Sequence, residues 1–394
     1  MKYKIRKGLD LHLKGEAMPE MEALPIPQLF HVCPTDFRWL KPKVLVAAGD
    51  SVTVGTPLFV DKNDERVTFV SPISGIVKEV VRGEKRVVEC ITIEVDTSAK
   101  PIMPVLFDDD GNAENYKATL LRYGLWPCLR QRPYSTIPNP DRKPKALFVS
   151  CFDSAPLAPD YPILLKEREA DFAEGLRILK RIVGPDVPIH LTLRDGADNR
   201  FFEAAQNVEF HYFAGPHPAG TVGPQIHRIA PLDKGETVWY ISPADVCRIG
   251  RLFASHLLGF EKCFALTGPA ATHSRYYTTF YGADISDVLN MQTIGDNVRK
   301  ISGNVLTGKK IDGGSTLRFY DHQVTLLKEN SEREFIGWLL PGFKKWSFSH
   351  TFTAWLTRNK KFDFSTSQHG DHRNFVMTDI YDKVFPFNAV LPLE

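Results

Sequence analysis

KVLVAAGDSVTVGTPLFV, residues 43–60, opens a series of short β-branched runs that decides the fold of the first part of the chain. The series continues as RVTFVSPISGIVKEVV, residues 66–81, and KRVVECITIEV, residues 85–95. Gly49-Asp50 and Gly55 supply the positive φ that tight turns require. The pattern is typical of strands joined by short turns, and it predicts an all-β unit.

The two turns of this unit, GDSVTVG at 49–55 and SPISGIV at 71–77, resemble those of the barrel-sandwich fold of lipoyl and biotinyl carriers. Such carriers modify a lysine at the tip of a hairpin, and Lys62 lies near that place. The flanking residues typical of a modified lysine are missing. We therefore interpret Lys62 as a solvated turn residue.

From Lys145 onward the pattern changes to alternating strands and helices. ALFVS, PIHLTLR, VEFHYF and TVWYIS predict strands, and ADVCRIGRLFASHLLG predicts a helix. One face of an earlier helix, ended by Gly184-Pro185, consists of Leu165, Phe172, Leu176, Leu179 and Val183. This alternation predicts a Rossmann-like, doubly wound parallel sheet. The loop GPHPAGTVG, 215–223, follows a strand end, where such sheets bind ligands, and we interpret His217 as a packed or solvated residue.

Residues 263–289 predict a strand, a Gly-Pro turn, a second strand and a helix that begins at Asp284 or Ser286. Their sequence is CFALTGPAATHSRYYTTFYGADISDVL. That order indicates a β-grasp module. The chain is long enough for two or three domains of ordinary size. We predict an α/β multidomain chain with a barrel-sandwich domain at 1–105, a Rossmann-like domain at 106–260, a β-grasp (SLBB-like) domain at 261–330 and a shortened, β-rich C-terminal segment at 331–394.

Composition excludes several classes of function. Forty-nine Lys and Arg against 47 Asp and Glu leave a net charge of +2, so nucleic acid is not an expected partner. No apolar run approaches the roughly 18 residues of a membrane span, and the basic start is not followed by the apolar segment of a signal peptide. We therefore expect no membrane span and a cytoplasmic location. The six cysteines are scattered, so neither a disulfide framework nor a cysteine metal cluster is predicted.

Catalytic motifs are incomplete. Gly303, Gly308 and Lys309 match a P-loop, but Lys310 stands where Ser or Thr must hold Mg²⁺. A dinucleotide GxGxxG is missing after every strand, so direct NADH binding is not expected. His369 and His372 could offer two imidazoles and the intervening Asp371 a carboxylate, but Gly370 breaks any helical presentation and no further ligand lies nearby. We predict no metal site and no catalytic residue.

The segment 129–145 is unusually basic. It contains five basic residues and only one acidic residue, Asp141. Its four prolines exclude a regular helix, so we predict a fixed, extended loop. Trp126 and Tyr134 add aromatic surface that suits a planar ligand or a partner protein. A positively charged connection between domains explains the same composition.

Five segments, taken in order, resemble the A subunit of the sodium-translocating NADH:quinone reductase over nearly the whole chain: KGLDLHLKGE (7–16), GLWPCLRQRPYS (124–135), SCFDSAPLAPDY (150–161), GPHPAGTVG (215–223) and ISGNVLTGKK (301–310). More distantly the chain is similar to the C subunit of the Rnf complex and the flavin subunit of complex I. The resemblance implies a peripheral subunit on the cytoplasmic face of the bacterial inner membrane. There, a six-subunit complex passes electrons from NADH to quinone and exports Na⁺.

Departures from the distant relatives bear on cofactors. Those relatives cradle FMN with a GxGGAxFP-type loop, whereas this chain has bulky residues after Gly124, and it lacks iron–sulfur cysteine spacing. We expect no FMN and no iron–sulfur cluster here, with the redox centres on partner subunits. The isolated chain is then not catalytic, although it is part of an enzyme.

The family association with quinone points to two aromatic and basic segments. The candidate quinone-binding residues are Phe37, Trp39, Trp126, Arg130, Arg132 and Tyr134. Flat apolar walls and hydrogen-bond donors are what a quinone headgroup requires. The same residues would equally suit an interface with another domain or subunit, and a pure scaffold that binds no small molecule remains the alternative.

Overall fold

The computed structural model describes residues 1–96, 98, 101–311, 316–329, 342–343, 345–348, 352–356, 360–367 and 380–387. Most of the segment predicted at 331–394, including His369 and His372, lies outside these residues. Within it the structure describes a one-turn 3-10 helix, Thr353–Leu356, and a short helix, Ile380–Val384. Among the helices of the described residues, none is long and apolar enough to cross a membrane.

The first part of the chain is built of short strands. In chain order they are β1 (Lys2–Lys4), β2 (Met18–Ala23), β3 (Leu29–Val32), β4 (Pro42–Val44), β5 (Ser51–Val52), β6 (Pro57–Asp61), β7 (Asp64–Val70), β8 (Gly75–Arg82), β9 (Val88–Val95) and β10 (Ile102–Pro104). Two antiparallel sheets, β3-β9-β8-β5 and β4-β6-β7, share one core, in which Leu58, Val77 and Ile91 are fully buried. The predicted barrel-sandwich fold is confirmed.

Cys33 and Cys90 form a disulfide, a bond that the prediction of no disulfide framework did not include. The cause is strand register. Val32 on β3 lies opposite Ile91 on β9 in an antiparallel pair, so the next residue along β3 meets the preceding residue of β9. The two cysteines are distant in sequence, and only the pairing of the two strands brings their sulfurs together.

The central part alternates strands and helices. They are α1 (Ala113–Arg122), β11 (Arg130–Arg132), β12 (Leu147–Ser150), α2 (Tyr161–Leu164), α3 (Glu169–Val183), β13 (Ile189–Arg194), α4 (Arg200–Glu203), β14 (Glu209–Ala214), α5 (Val222–Ile229), β15 (Val238–Ile241), α6 (Pro243–Ser255) and β16 (Leu257–Gly259). The sheet order is β1-β14-β13-β12-β15-β11, parallel except for β11. α3 and α6 cover one face and α5 the other, so the doubly wound fold is confirmed.

Two local expectations differ from the structure. Leu165 does not begin the long helix: it caps the end of α2, and Glu167 with φ 63° separates α2 from α3. The basic segment 129–145 is not only a loop, because Arg130–Arg132 pairs with β15 as an edge strand of the sheet. A proline-rich segment is compatible with an edge strand, since one side of such a strand needs no partner.

The third sheet follows. Its elements are β17 (Glu261–Thr267), β18 (Arg275–Phe280), α7 (Ser286–Met291), β19 (Val298–Ser302), β20 (Lys309–Lys310) and β21 (Gln323–Lys328). The sheet order β2-β18-β17-β21-β19-β20, with α7 packed on one face, confirms the β-grasp prediction. The P-loop-like segment forms the β19–β20 hairpin, which is not the strand–loop–helix arrangement of a P-loop. β1 and β2 do not belong to the barrel: β1 pairs with β14 of the α/β sheet, and β2 pairs with β18 of the third sheet. The first residues of the chain therefore connect these two sheets.

α3 and α6 approach closely at Gly175 and Gly250. A Cβ on Gly250 would overlap the carbonyl oxygen of Asp171, so we expect Gly250→Ala to destabilise the fold by about 2–3 kcal/mol. Gly223→Ala on α5 is the matched control, because its Cβ meets open space and the change should be neutral or stabilising by up to about 1 kcal/mol. Urea unfolding followed by circular dichroism measures both. Equal midpoints for the two variants would contradict the close packing.

Candidate functional site

The barrel, the α/β sheet and the third sheet meet around one buried arginine. Ser242 caps α6 by accepting a hydrogen bond from the backbone N–H of Asp245, and the helix then carries Arg248 into the junction. The Arg248 guanidinium lies 4.1 Å from the ring centroid of Tyr281 and 4.7 Å from that of Phe260. Its Nη1 is 4.0 Å from Asp245 Oδ1. Aromatic faces and one carboxylate therefore stabilise a buried cation.

A small cavity of about 50 Å³ adjoins this arginine. Its walls include Phe37, Phe69, Gly124, Arg248, Tyr281 and Phe319. Small-molecule sites usually occupy about 300–1,000 Å³, so this cavity is too small for a quinone headgroup. The junction acts as a packed joint between the three units.

Two further ionisable groups lie at the joint. Asp36 Oδ2 accepts a hydrogen bond from the backbone N–H of Phe319 at 2.8 Å, and burial raises the pKa of Asp36 to about 6. Lys262 Nζ donates to the carbonyls of Arg318 and Phe319, and burial lowers the pKa of Lys262 to about 8. Burial thus works against both charged forms.

Two of the predicted quinone-binding residues, Phe37 and Trp126, belong to the packed interior, and a third, Arg130, is partly buried. Phe37 is buried, and its ring packs edge-on against Phe69, with centroids 4.5 Å apart. Trp126 is fully buried, and its Nε1 donates to the carbonyl of Pro138 at 2.9 Å. Arg130 is sandwiched between two tyrosine rings, 4.1 Å from the centroid of Tyr320. In each case the side chain is engaged in contacts within the protein, so its role in the structure is packing.

Arg132 lies beside them on the same edge strand. Its guanidinium is 5.4 Å from the ring centroid of Tyr240, the ring that also stacks on Arg130 from 4.4 Å. Arg132 is partly exposed. Both arginines of this strand thus contact the ring of Tyr240, and both are partly exposed.

Trp39 and Tyr134 form an exposed pair. Their side chains are 61% and 56% exposed, and their ring centroids lie 5.1 Å apart, although they stand in distant parts of the sequence. Trp39 has φ 62° and Ser135, next to Tyr134, has φ 59°. Left-handed backbone at a bulky residue is costly and is found preferentially at functional sites. The fold thus holds the ring of Trp39 in solvent at a cost in backbone strain.

A cleft of about 290 Å³ lies beside this pair, between the barrel and the loop after β11. Trp39, the tip of the β6–β7 hairpin and residues 136–140 line it, together with Arg38 and Gln131. The cleft combines a flat ring and polar donors with the carboxylates of Asp61 and Asp64. The sequence pattern indicated its two segments, but it did not distinguish the outward residues from the buried ones.

A larger cavity of about 980 Å³ lies at the carboxyl ends of β12 and β13, which is the usual ligand edge of such sheets. Next to it, two segments identified in the sequence, 150–161 and 215–223, are joined by hydrogen bonds. The Ser154 hydroxyl is 3.0 Å from Nδ1 of His217 and accepts a hydrogen bond from the N–H of Gly220. A Cβ at Gly220 would overlap the backbone of Ser154. His217 is thus a packed residue, one of the two interpretations given from the sequence. Its hydrogen bond to Ser154 joins the two loops.

The residues of the joint, notably Arg248, Tyr281 and Lys262, were not predicted from the sequence. One signal was available for Arg248: it stands, together with Arg251, in the mainly apolar run VCRIGRLF, where a buried arginine must find a partner inside the fold. The tyrosine and lysine carry no such local signal.

The fold and the site together define a class: a multidomain chain in which a barrel-sandwich unit and a β-grasp unit flank a Rossmann-like sheet. Three family models match the chain. They are described as the NqrA N-terminal barrel-sandwich hybrid domain (residues 3–96), the NqrA second alpha/beta domain (112–257) and the NQRA C-terminal domain (263–313). The chain belongs to the NqrA family, that of the A subunit of the Na⁺-translocating NADH-quinone reductase.

Curated relatives that carry this subunit's name extend over nearly the whole chain. The protein of Rhodopirellula baltica is 36% identical and covers 98% of this chain and 86% of its own length. That of Tolumonas auensis is 35% identical with 98% and 87% covered, and that of Neisseria meningitidis serogroup B is 35% identical with 99% and 87% covered. An NAD⁺-reducing [NiFe]-hydrogenase chain in the air-oxidized state aligns with TM-score 0.37 and 15% identity, over 55% of this chain and 47% of that chain.

Asp36 generates a pH prediction. Its pKa is raised from 3.8 to about 6, so between these values the folded state binds more protons than the unfolded state, and stability falls as pH rises through this range. Asp36→Asn keeps the acceptor for the Phe319 N–H and removes this titration. We expect the variant to be more stable than the wild type by about 2 kcal/mol at pH 7 and nearly equal at pH 4.

Denaturant unfolding at a series of pH values measures this difference. Asp108→Asn, at an exposed position, is the control and should follow the wild-type profile. A stability difference for Asp36→Asn that does not change between pH 4 and 7 would rule out the protonation argument.

Proposed function

We propose that this chain presents a quinone-binding surface within a Na⁺-translocating NADH:quinone reductase, as a peripheral subunit on the cytoplasmic face of the bacterial inner membrane. The observation that carries the proposal is the exposed Trp39–Tyr134 pair beside the 290 Å³ cleft. The names of the curated relatives support the reaction class. The other subunits of the six-subunit complex are the proposed partners.

The chemistry of the cleft suits a quinone. A quinone headgroup is flat and carries two carbonyl acceptors, so it requires ring faces and donors at its edges. Trp39 supplies a face, and the Gln131 amide and the Arg38 guanidinium supply donors. The volume is close to the lower limit of small-molecule sites, which suits a headgroup whose apolar tail lies outside on Tyr134.

We further propose that the chain carries no redox cofactor of its own. A flavin phosphate cradle requires exposed backbone N–H groups, but Leu125, Trp126 and Leu129 are fully buried and fill the segment after Gly124. Iron–sulfur ligation requires thiolates, and burial raises the pKa of the Cys128 and Cys151 thiols well above the usual value. Both observations support an electron path through partner subunits.

The second candidate function is a docking scaffold. Exposed tryptophan and tyrosine are also the residue types that dominate protein–protein interfaces. The Trp39–Tyr134 pair would then be covered by a partner subunit, and the isolated chain would bind no quinone.

Equilibrium dialysis of the purified chain against a short-chain, water-soluble quinone tests the first candidate. We expect saturable binding by the wild type and at least about tenfold weaker binding by the Trp39→Ala/Tyr134→Ala variant, because a ring wall worth about 1.4 kcal/mol is lost. Leu106→Ala, a second highly exposed apolar residue, is the control and should bind like the wild type. Equal affinity in the double variant would exclude the cleft.

The outcome also separates the two candidates. If the wild type binds no quinone but the double variant fails to assemble into the complex, the docking function replaces the quinone function. Both substitutions lie at exposed positions, so the fold should survive them.

Visible absorption of the same preparation tests the cofactor proposal. We expect colourless protein from cells replete in flavin and iron. A flavin spectrum in stoichiometric amount after gel filtration would overturn it.

A further inference from the structure

Two histidines and a glutamate converge at the amino ends of two parallel strands. His190 is the second residue of β13, and Glu209 and His211 lie on β14. The strand register places Glu209 opposite His190. Residues two apart on a strand share a face, so the pairing gathers all three side chains on one side of the sheet.

The distances between the three groups match those around a tetrahedral ion. His190 Nδ1 lies 3.1 Å from His211 Nε2 and 3.3 Å from Glu209 Oε2, and His211 Nε2 lies 3.6 Å from the same oxygen. Zinc binds nitrogen and oxygen at about 2.0–2.2 Å in tetrahedral geometry, which separates neighbouring ligand atoms by about 3.3 Å. The three atoms thus form one face of such a tetrahedron.

The surroundings favour coordination by neutral imidazoles. Both histidines are 5% exposed, and the ring of Phe148 lies 4.9 Å from that of His190. Burial disfavours the charged form of an imidazole. Neutral imidazole keeps the lone pair that a metal requires. Glu209, whose side chain is 60% exposed, closes the solvent side with a negative charge.

We propose that His190, Glu209 and His211 bind a Zn²⁺ ion with the fourth position open to water. Imidazole ligands favour zinc and its transition-metal neighbours over Mg²⁺ or Ca²⁺. The chain's amino terminus lies alongside, where the Met1 amine donates to the carbonyl of Phe210 on β14. The ion would therefore fasten the start of β13 to the start of β14, beside the edge strand β1.

The experiment uses the full chain without an affinity tag, stripped of metal with a chelator. Co²⁺ serves as the probe, because its visible bands report tetrahedral geometry, and Zn²⁺ is added in competition. We expect one Co²⁺ per chain with tetrahedral bands, displaced by one equivalent of Zn²⁺, and a rise of the unfolding temperature with Zn²⁺.

Glu209→Gln keeps the shape of an exposed side chain and removes the carboxylate. We expect at least about tenfold weaker metal binding and loss of the thermal shift. Glu203→Gln, an exposed glutamate that accepts a hydrogen bond from the Tyr212 hydroxyl, is the control and should behave as the wild type. His211→Gln should abolish the tetrahedral bands.

Three results would overturn the proposal. They are Co²⁺ binding that does not saturate at one equivalent, an octahedral spectrum, and equal affinity in Glu209→Gln and the wild type. In each case the two histidines form a hydrogen-bonded pair within the sheet and no zinc site.

Discussion

The structure depends on the burial of one cation, Arg248, where three units meet. Moving a guanidinium out of water costs several kcal/mol unless partners replace the water. Here the partners come from different units: Asp245 from the same helix, and the rings of Phe260 and Tyr281 from the segments before β17 and after β18. Asp245 is held in turn by the hydroxyls of Ser242 and Tyr281. Stabilising the arginine therefore also sets the relative position of the units.

The same principle extends along the edge of the α/β sheet. Arg130 lies between Tyr240 of β15 and Tyr320 of the segment before β21, so a second cation joins two units through ring faces. Tyr134 lies two residues after the end of this edge strand, and its ring packs against Trp39 of the barrel. The exposure of this pair is thus a product of the packing behind it, and it leaves two large rings available for a ligand or a partner subunit.

The outline of the fold was predictable because it rests on local signals. β-branched runs with Gly turns predicted the barrel, apolar spacing predicted α3, and Gly184 ended that helix as expected. The candidate site was predictable only as two segments. A single aromatic residue in a sequence does not reveal whether its side chain faces the core or solvent. The sequence therefore could not show that Phe37 is buried and Trp39 exposed. The Cys33–Cys90 bond and the cluster of two histidines and a glutamate escaped prediction because each depends on strand register.

By itself, the sequence determined the kind of each unit and the family, because turn chemistry, hydrophobic period and ordered motifs are properties of neighbouring residues. It also determined the near-neutral charge and the bulky segment after Gly124. Tertiary structure alone decided that β1 and β2 leave the barrel, which arginines lie between rings and which aromatic residues reach solvent. The physical reason is that these features are contacts between residues far apart along the chain. Their formation depends on the burial and register of whole strands, and no local pattern encodes them.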